Sequence, residues 1–184
     1  MKCELKRSIQ KGLVQIYTGD GKGKTTAALG QGMRAAGRQY TVYMIQFLKG
    51  MHSGEIDAVQ NLHPYFQIFR FGQTEKFFYA LSEKEKSECC QDVRRGYRFA
   101  LEMMKKGECD ILILDEIMGA LYNQLITVYE ACSLIHHKPE QMELILTGRD
   151  APQELIELAD YVSEIKMVKH PFSKGIKARE GIEY

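Results

Sequence analysis

The stretch from Tyr17 to Thr26, YTGDGKGKTT, constrains this chain more than any other. It lies between an apolar run, LVQIY (13–17), and a segment with helical character that should begin near Lys24 and end around Ala36-Gly37. A strand, a glycine turn and a helix N-terminus together make an anion site. Backbone N–H groups point inward, and the helix dipole sets partial positive charge beside them. Glycine lets the backbone curl around phosphate oxygens without a Cβ clash. The usual spelling, G-x-x-x-x-G-K-[ST], needs a glycine at position 18, where this chain has Thr18; the glycines fall at 19, 21 and 23. The strand-before, helix-after context is met, so the stretch reads as a phosphate loop with altered spacing. Lys24 adds a mobile ammonium, and the Thr25 hydroxyl suits a magnesium ion bridging phosphates.

Further strand-like runs alternate with helical segments: TVYMIQF (41–47), FQIFRF (66–71), DILILDE (110–116), ELILTG (143–148) and YVSEI (161–165). Near-continuous apolar strands are buried on both faces, as in parallel sheets flanked by helices. The fold expected is therefore α/β, a three-layer P-loop domain with a mainly parallel sheet, spanning the chain as a single unit. Gly37 is the expected left-handed C-cap of the first helix. Ser82 with Glu85 has capping-box spacing and opens a helix whose apolar face runs Cys89, Val93, Tyr97, Leu101 and Met104 before ending near Gly107. One helix is expected before ELILTG and a short one at 152–159, with His136-His137 read as a helix end. Residues 167–184 show no clear periodicity.

Asp115 and Glu116 close the run ILIL at the carboxyl edge, where open α/β sheets bind ligands. A carboxylate pair there, in a chain with a phosphate loop, points to support of a metal ion. The reading from residues alone is thus nucleotide binding with Mg²⁺ (or Mn²⁺), held by Thr25, Asp115 and Glu116. The 184 residues carry a net charge of +1, which gives no general drive toward nucleic acid or an anionic membrane. No apolar run approaches the roughly 20 residues that span a bilayer. The N-terminus lacks the apolar centre of a secretory signal, so a cytoplasmic protein is expected. Five cysteines without a C-x-x-C pair read as reduced thiols. Phosphate loops serve many chemistries. A GTPase would need N-K-x-D where this chain offers TGRD (147–150), and the cysteine zinc ribbon expected of a thymidine-kinase-like enzyme is missing. A small-molecule kinase and a catalytically silent ATP-binding module remain as alternatives.

Six ordered segments carry a more specific likeness. GLVQIYTGDGKGKTTAALG (12–30), QFLKG (46–50), LDE (114–116), LTGRDAP (146–152), LADYVSEIK (158–166) and KHPFSKGIKAREGIEY (169–184) together resemble the P-loop class of ATP:corrinoid adenosyltransferases. The resemblance implies that Co(I) of a reduced corrinoid attacks the 5′ carbon of ATP and expels tripolyphosphate, with ATP held in reverse of most P-loop enzymes. It implies phosphate binding by Gly19, Asp20, Gly21, Lys22, Gly23, Lys24, Thr25 and Thr26, with Gln46 and Arg149 also on the ATP side. Lys22 and Lys24 would neutralise charge on the leaving oxygen, and Thr25 and Glu116 would complete the catalytic set. Lys49, Phe71, Gln73 and Glu75 would lie on the corrinoid side, with His170 and Phe172 joining them from a C-terminal tail (167–184) folded over the site. A homodimer and a flavoprotein electron donor are further implications. The chain departs from the pattern at one place. Some members carry Gly-Phe-Thr-Trp after the third strand, where the aromatics help displace the lower axial ligand of cobalt. Here the residues are Phe71-Gly72-Gln73-Thr74-Glu75, and the chain has no tryptophan. Phe71, Phe77, Phe78 and Tyr79 are the candidate substitutes, with core packing expected for at least two.

Overall fold

The computed structural model describes residues 9–74 and 76–184. Its centre is a six-stranded sheet in the order β3-β2-β4-β5-β1-β6, built from β1 (Val14–Thr18), β2 (Val42–Phe47), β3 (Phe66–Phe71), β4 (Ile111–Asp115), β5 (Glu143–Thr147) and β6 (Tyr161–Glu164). All neighbouring pairs run parallel. Alternation along the strands divides the core in two. Val42 and Met44 of β2, Ile111 and Ile113 of β4, and Ile145 of β5 join Ala28, Ala35 and Ala36 of α1 (Lys24–Ala36) and Val59 of α2 (Gly54–Gln60). Ile45, Phe47, Leu112, Leu114, Leu144 and Leu146 face the other way, onto α3 (Glu83–Lys106), α4 (Ile117–Tyr122), α5 (Val128–His136) and α6 (Gln153–Leu158). A strand with a helical layer on each side favours apolar residues on both faces, and all five residues of β4 are buried, four of them apolar and the last Asp115. The expected three-layer α/β architecture is the one observed.

Three details depart from the sequence reading. Gly37 is right-handed (φ −63°), and the left-handed residue is Gln39 (φ 66°). The N–H groups of Arg38 and Gln39 still bond to Ala35 and Ala36, so the chain winds on before it reverses. The segment after β4 forms two helices, not one, because Gln124 turns left-handed (φ 57°) and Thr127 caps the second with Glu130. The last strand, β6, is exposed at all four positions, since it forms the sheet edge beside β1.

The Ser82–Glu85 capping box forms as expected, and α3 ends on left-handed Gly107 (φ 63°). His137 caps the end of α5. Cys89, Cys90, Cys109 and Cys132 are free thiols, and Cys3 lies outside the described residues. Among the described residues no helix is long and apolar enough to cross a membrane.

Candidate active site

The loop after β1 explains its own unusual spelling. Gly19 (φ 100°) has a backbone that side chains rarely adopt, and a Cβ there would lie 2.4 Å from the Ile165 carbonyl oxygen. At Gly21 a Cβ would lie 2.7 Å from the same oxygen, which accepts the Gly21 N–H at 2.8 Å. Two of the glycines therefore let the loop seat against the chain leaving β6. Gly23 (φ 124°) differs, because nothing lies within 4 Å of its Cβ position. It stands at the N-cap of α1 without a side-chain cap, and the first turn carries no acid. The leading N–H groups of α1 are thus left for an anion.

The acids arrive on β4, which is separated from β1 by β5. That intervening strand contributes Thr147, whose hydroxyl donates to Asp115 Oδ1 at 2.6 Å and accepts the Glu116 N–H at 3.0 Å. Asp115 is fully buried, and three more groups converge on it. Thr25 Oγ1 donates to Oδ1 at 2.9 Å, Gln46 Nε2 to Oδ2 at 3.3 Å, and Lys49 Nζ lies 2.6 Å from Oδ2. Glu116 takes a left-handed backbone (φ 61°) at the start of α4 and lines the open cleft. Burial, reinforced by the Asp115 charge, raises its pKa above the ordinary 4.5. Lys24 bends back to donate to the Gly21 carbonyl at 2.8 Å, and burial lowers its pKa.

Lys24, Thr25 and Glu116 open into one cleft of about 940 Å³, which is also lined by Asp20, Lys22, Thr26, Lys49, Phe77, Phe78, Arg149 and His170, while Asp115, Thr147 and Gln46 are buried outside that lining. The C-terminal residues Gly181 to Tyr184 complete its wall. Lys22 Nζ donates to the Ile182 carbonyl at 2.9 Å and lies 3.4 Å from Glu183, and Asp20 Oδ1 accepts the Met167 N–H at 2.8 Å. Met167, Ile182 and Glu183 of the segment 167–184 thus lie against the loop.

The other expected site residues are divided between the cleft and its surroundings. Gln46, expected to meet ATP, is 1% exposed and bridges Asp115 to Glu55. Lys49, expected on the corrinoid side, points instead at Thr25 and Asp115. Phe71, expected on that side too, packs at a tilt against Phe99 with ring centroids 5.8 Å apart and lies close over Gly96, because its position on β3 turns its ring toward α3. Gln73 lines an adjoining hollow of about 460 Å³ with Asp92 and Arg95, which shares Thr74 and Lys76 with the main cleft. Phe172 is 76% exposed and outside the cleft lining, whereas His170 is within it. Glu75 lies outside the described residues. Of the candidate aromatics, Phe71 and Phe78 pack against the core, while Phe77 and Tyr79 stack on each other at 5.6 Å on the surface. Thr147 and Glu55 were missed. Thr147 sits in the quoted LTGRDAP segment, where its place beside the acids was the available signal; nothing in the local sequence singles out Glu55.

Among the described residues no three His, Cys, Asp or Glu side chains stand together as a metal cluster. A divalent cation here would rely on Thr25, the two acids and oxygens of a ligand. These are hard oxygen donors suited to Mg²⁺, and a cationic ammonium lies against two of them, so the residues fit the ion.

A glycine loop entering a helix, with an acid pair two strands away, defines a P-loop nucleotide-binding domain. The particular lineage follows from comparison with known proteins. The chain belongs to the family described as ATP:corrinoid adenosyltransferase BtuR/CobO/CobP, whose profile matches residues 10–184. It is 33% identical over 176 residues to the corrinoid adenosyltransferase of Escherichia coli K12, covering 95% of this chain and 87% of that one. It is 35% identical over 183 residues to the corrinoid adenosyltransferase of a Sinorhizobium species (95% and 81%). Against corrinoid adenosyltransferase CobA of Salmonella typhimurium it is 32% identical over 176 residues (95% and 87%).

Proposed function

We propose that this enzyme transfers the 5′-deoxyadenosyl group of ATP to the Co(I) of a reduced corrinoid and releases tripolyphosphate. Co(I) supplies the electron pair for the new cobalt–carbon bond, the C5′–O5′ bond breaks, and its pair leaves on the triphosphate oxygen. Cobalt is thereby oxidised formally to Co(III). The observation that carries the reading, beside family membership, is the convergence of Lys22, Lys24, Lys49 and Arg149 on the single cleft that Gly23 faces. Such a cluster of cations suits a polyanion that leaves whole, with charge growing on its departing oxygen.

Lys24 and Lys22 bear on the phosphates, and the N–H groups beginning α1 hold the oxygens that Gly23 leaves within reach. Thr25 and Glu116 would hold Mg²⁺, which supplies charge neutralisation at the phosphates, and Asp115 fixes the Thr25 hydroxyl. No protein nucleophile is required; the residues contribute proximity, orientation and leaving-group stabilisation. At about 940 Å³ the cleft is at the upper end of ordinary ligand pockets, room for a nucleotide and the reacting face of a second substrate. We take the chain as a single nucleotide-binding domain with 167–184 as its cover, a cytoplasmic homodimer fed by a flavoprotein reductant, as the family likeness suggests.

The test is incubation with ATP, Mg²⁺ and chemically reduced cobalamin, following the corrinoid spectrum and the phosphate products. Adenosylated corrinoid with tripolyphosphate is expected. ADP with no cobalt–carbon product would reject the reading in favour of a kinase.

A further inference from the structure

The position where a cation would meet both Thr25 and Asp115 is held by part of the protein. Lys49 Nζ lies 2.6 Å from Asp115 Oδ2 and donates to Thr25 Oγ1 at 3.0 Å. Its aim is built in. Leu48, just before it, turns left-handed (φ 57°), and Arg70 Nη2 from β3 clamps the carbonyls of Lys49 and Met51 at 2.5 and 2.7 Å. Each Asp115 oxygen accepts two donors, Thr25 and Thr147 on Oδ1, Gln46 and Lys49 on Oδ2, which is a carboxylate's full complement. A fully buried carboxylate stripped of its cation is costly, so the pair is a structural necessity while no other cation is there. A divalent ion on Thr25 Oγ1 would meet the ammonium head-on at short range, and like charges so placed repel.

We propose that Lys49 is a tethered counter-cation that competes with the divalent metal for Thr25 and Asp115, so that the site accepts metal together with a polyphosphate and resists metal alone. The polyphosphate does two jobs: it contributes oxygens to the metal and gives the displaced ammonium a new anion within the same cleft, which Lys49 also lines. Glu116, whose carboxylate faces the cleft, then receives metal from that side. This assigns Lys49 a specificity role, rejection of free divalent cations, and rests on the metal–triphosphate reading above.

The experiment measures Mn²⁺ binding to the full chain by EPR of the free ion, with and without inorganic tripolyphosphate, in wild type, Lys49→Met and Lys49→Gln. Without tripolyphosphate, Lys49→Met should bind Mn²⁺ at least about tenfold tighter than wild type, the scale of a modest coupling between two ligands. Adding tripolyphosphate should narrow that gap. Thermal melts give an independent readout: Mn²⁺ alone should raise the midpoint of either variant and leave wild type unmoved. Lys49→Gln keeps a donor for Asp115 without the charge, so it answers the question if Lys49→Met does not fold. Equal Mn²⁺ affinity of wild type and a folded variant without tripolyphosphate, or equal melting shifts, overturns the proposal. Loss of the adenosyl-transfer reading would show separately, as a wild type that makes no adenosylated corrinoid while the Mn²⁺ difference persists.

Discussion

Burial and the adjacent Asp115 charge raise the Glu116 pKa, whereas Asp115 itself is enclosed by four donors. The sign of the consequence is fixed. The unfolded chain ionises this group near 4.5 and the folded chain only at higher pH, so stability falls as pH rises between the two values and the penalty persists above them. Glu116→Gln should therefore melt above wild type at pH 7 in EDTA, with the difference vanishing below pH 4.5 in step with protonation. The same variant should lose metal-supported turnover, and wild-type turnover should fall as pH drops through the raised Glu116 value. Thr147 supports both acids from the neighbouring strand. Thr147→Val leaves buried Asp115 and the Glu116 N–H each short of a partner, and should cost about 1–3 kcal/mol in chemical denaturation. At this scale the sequence spoke clearly about Thr25, Asp115 and Glu116, because strand ends and helix starts place them. Lys49 was named through the family likeness, but its direction was not legible, since that depends on the left-handed turn at Leu48 and the Arg70 clamp, neither of which leaves a local pattern.

Helix α3 shows what an element owes to its ends. Ser82 accepts the Glu85 N–H, and Glu85 accepts the Ser82 N–H and hydroxyl at 2.7 Å each. The Ser82 backbone bond, then its hydroxyl and Lys76, hold the Glu85 pKa down to about 2. This depressed carboxylate stabilises the fold above its unfolded value of 4.5, and the contribution is lost as pH falls toward about 2. Ser82→Ala should cost about 1 kcal/mol at pH 7, measured by urea denaturation, and less at pH 3. The capping box was legible because its signal is two residues at fixed spacing. The central strands were legible for a related reason: burial between helical layers demands apolar runs. The break between α4 and α5 was not, since it turns on left-handed Gln124 within an otherwise helical composition. Nor was the exposure of β6, because an edge strand and a central one can share the same letters.

Across the whole molecule, the sheet edge, the phosphate loop and the C-terminal tail form one closure. Ile165 presses on Gly19 and Gly21, while Lys22 and Asp20 hold the tail at Ile182, Glu183 and Met167. Arg179 braces Glu183 from its backbone N–H at 2.8 Å and its guanidinium at 3.0 Å. Exposed ion pairs contribute little, so Arg179→Ala should speed limited proteolysis within 167–184 by no more than about fivefold and leave the global melt unchanged. Unaltered cleavage would remove Arg179 from the closure. The central claim is that the triphosphate departs as a unit when cobalt bonds to C5′. ATP labelled with ¹⁸O at the 5′ bridging oxygen tests it directly, with reduced cobalamin as acceptor and mass spectrometry of the products. The account predicts that the label leaves entirely in tripolyphosphate; label retained on an adenosine-bearing product would contradict it.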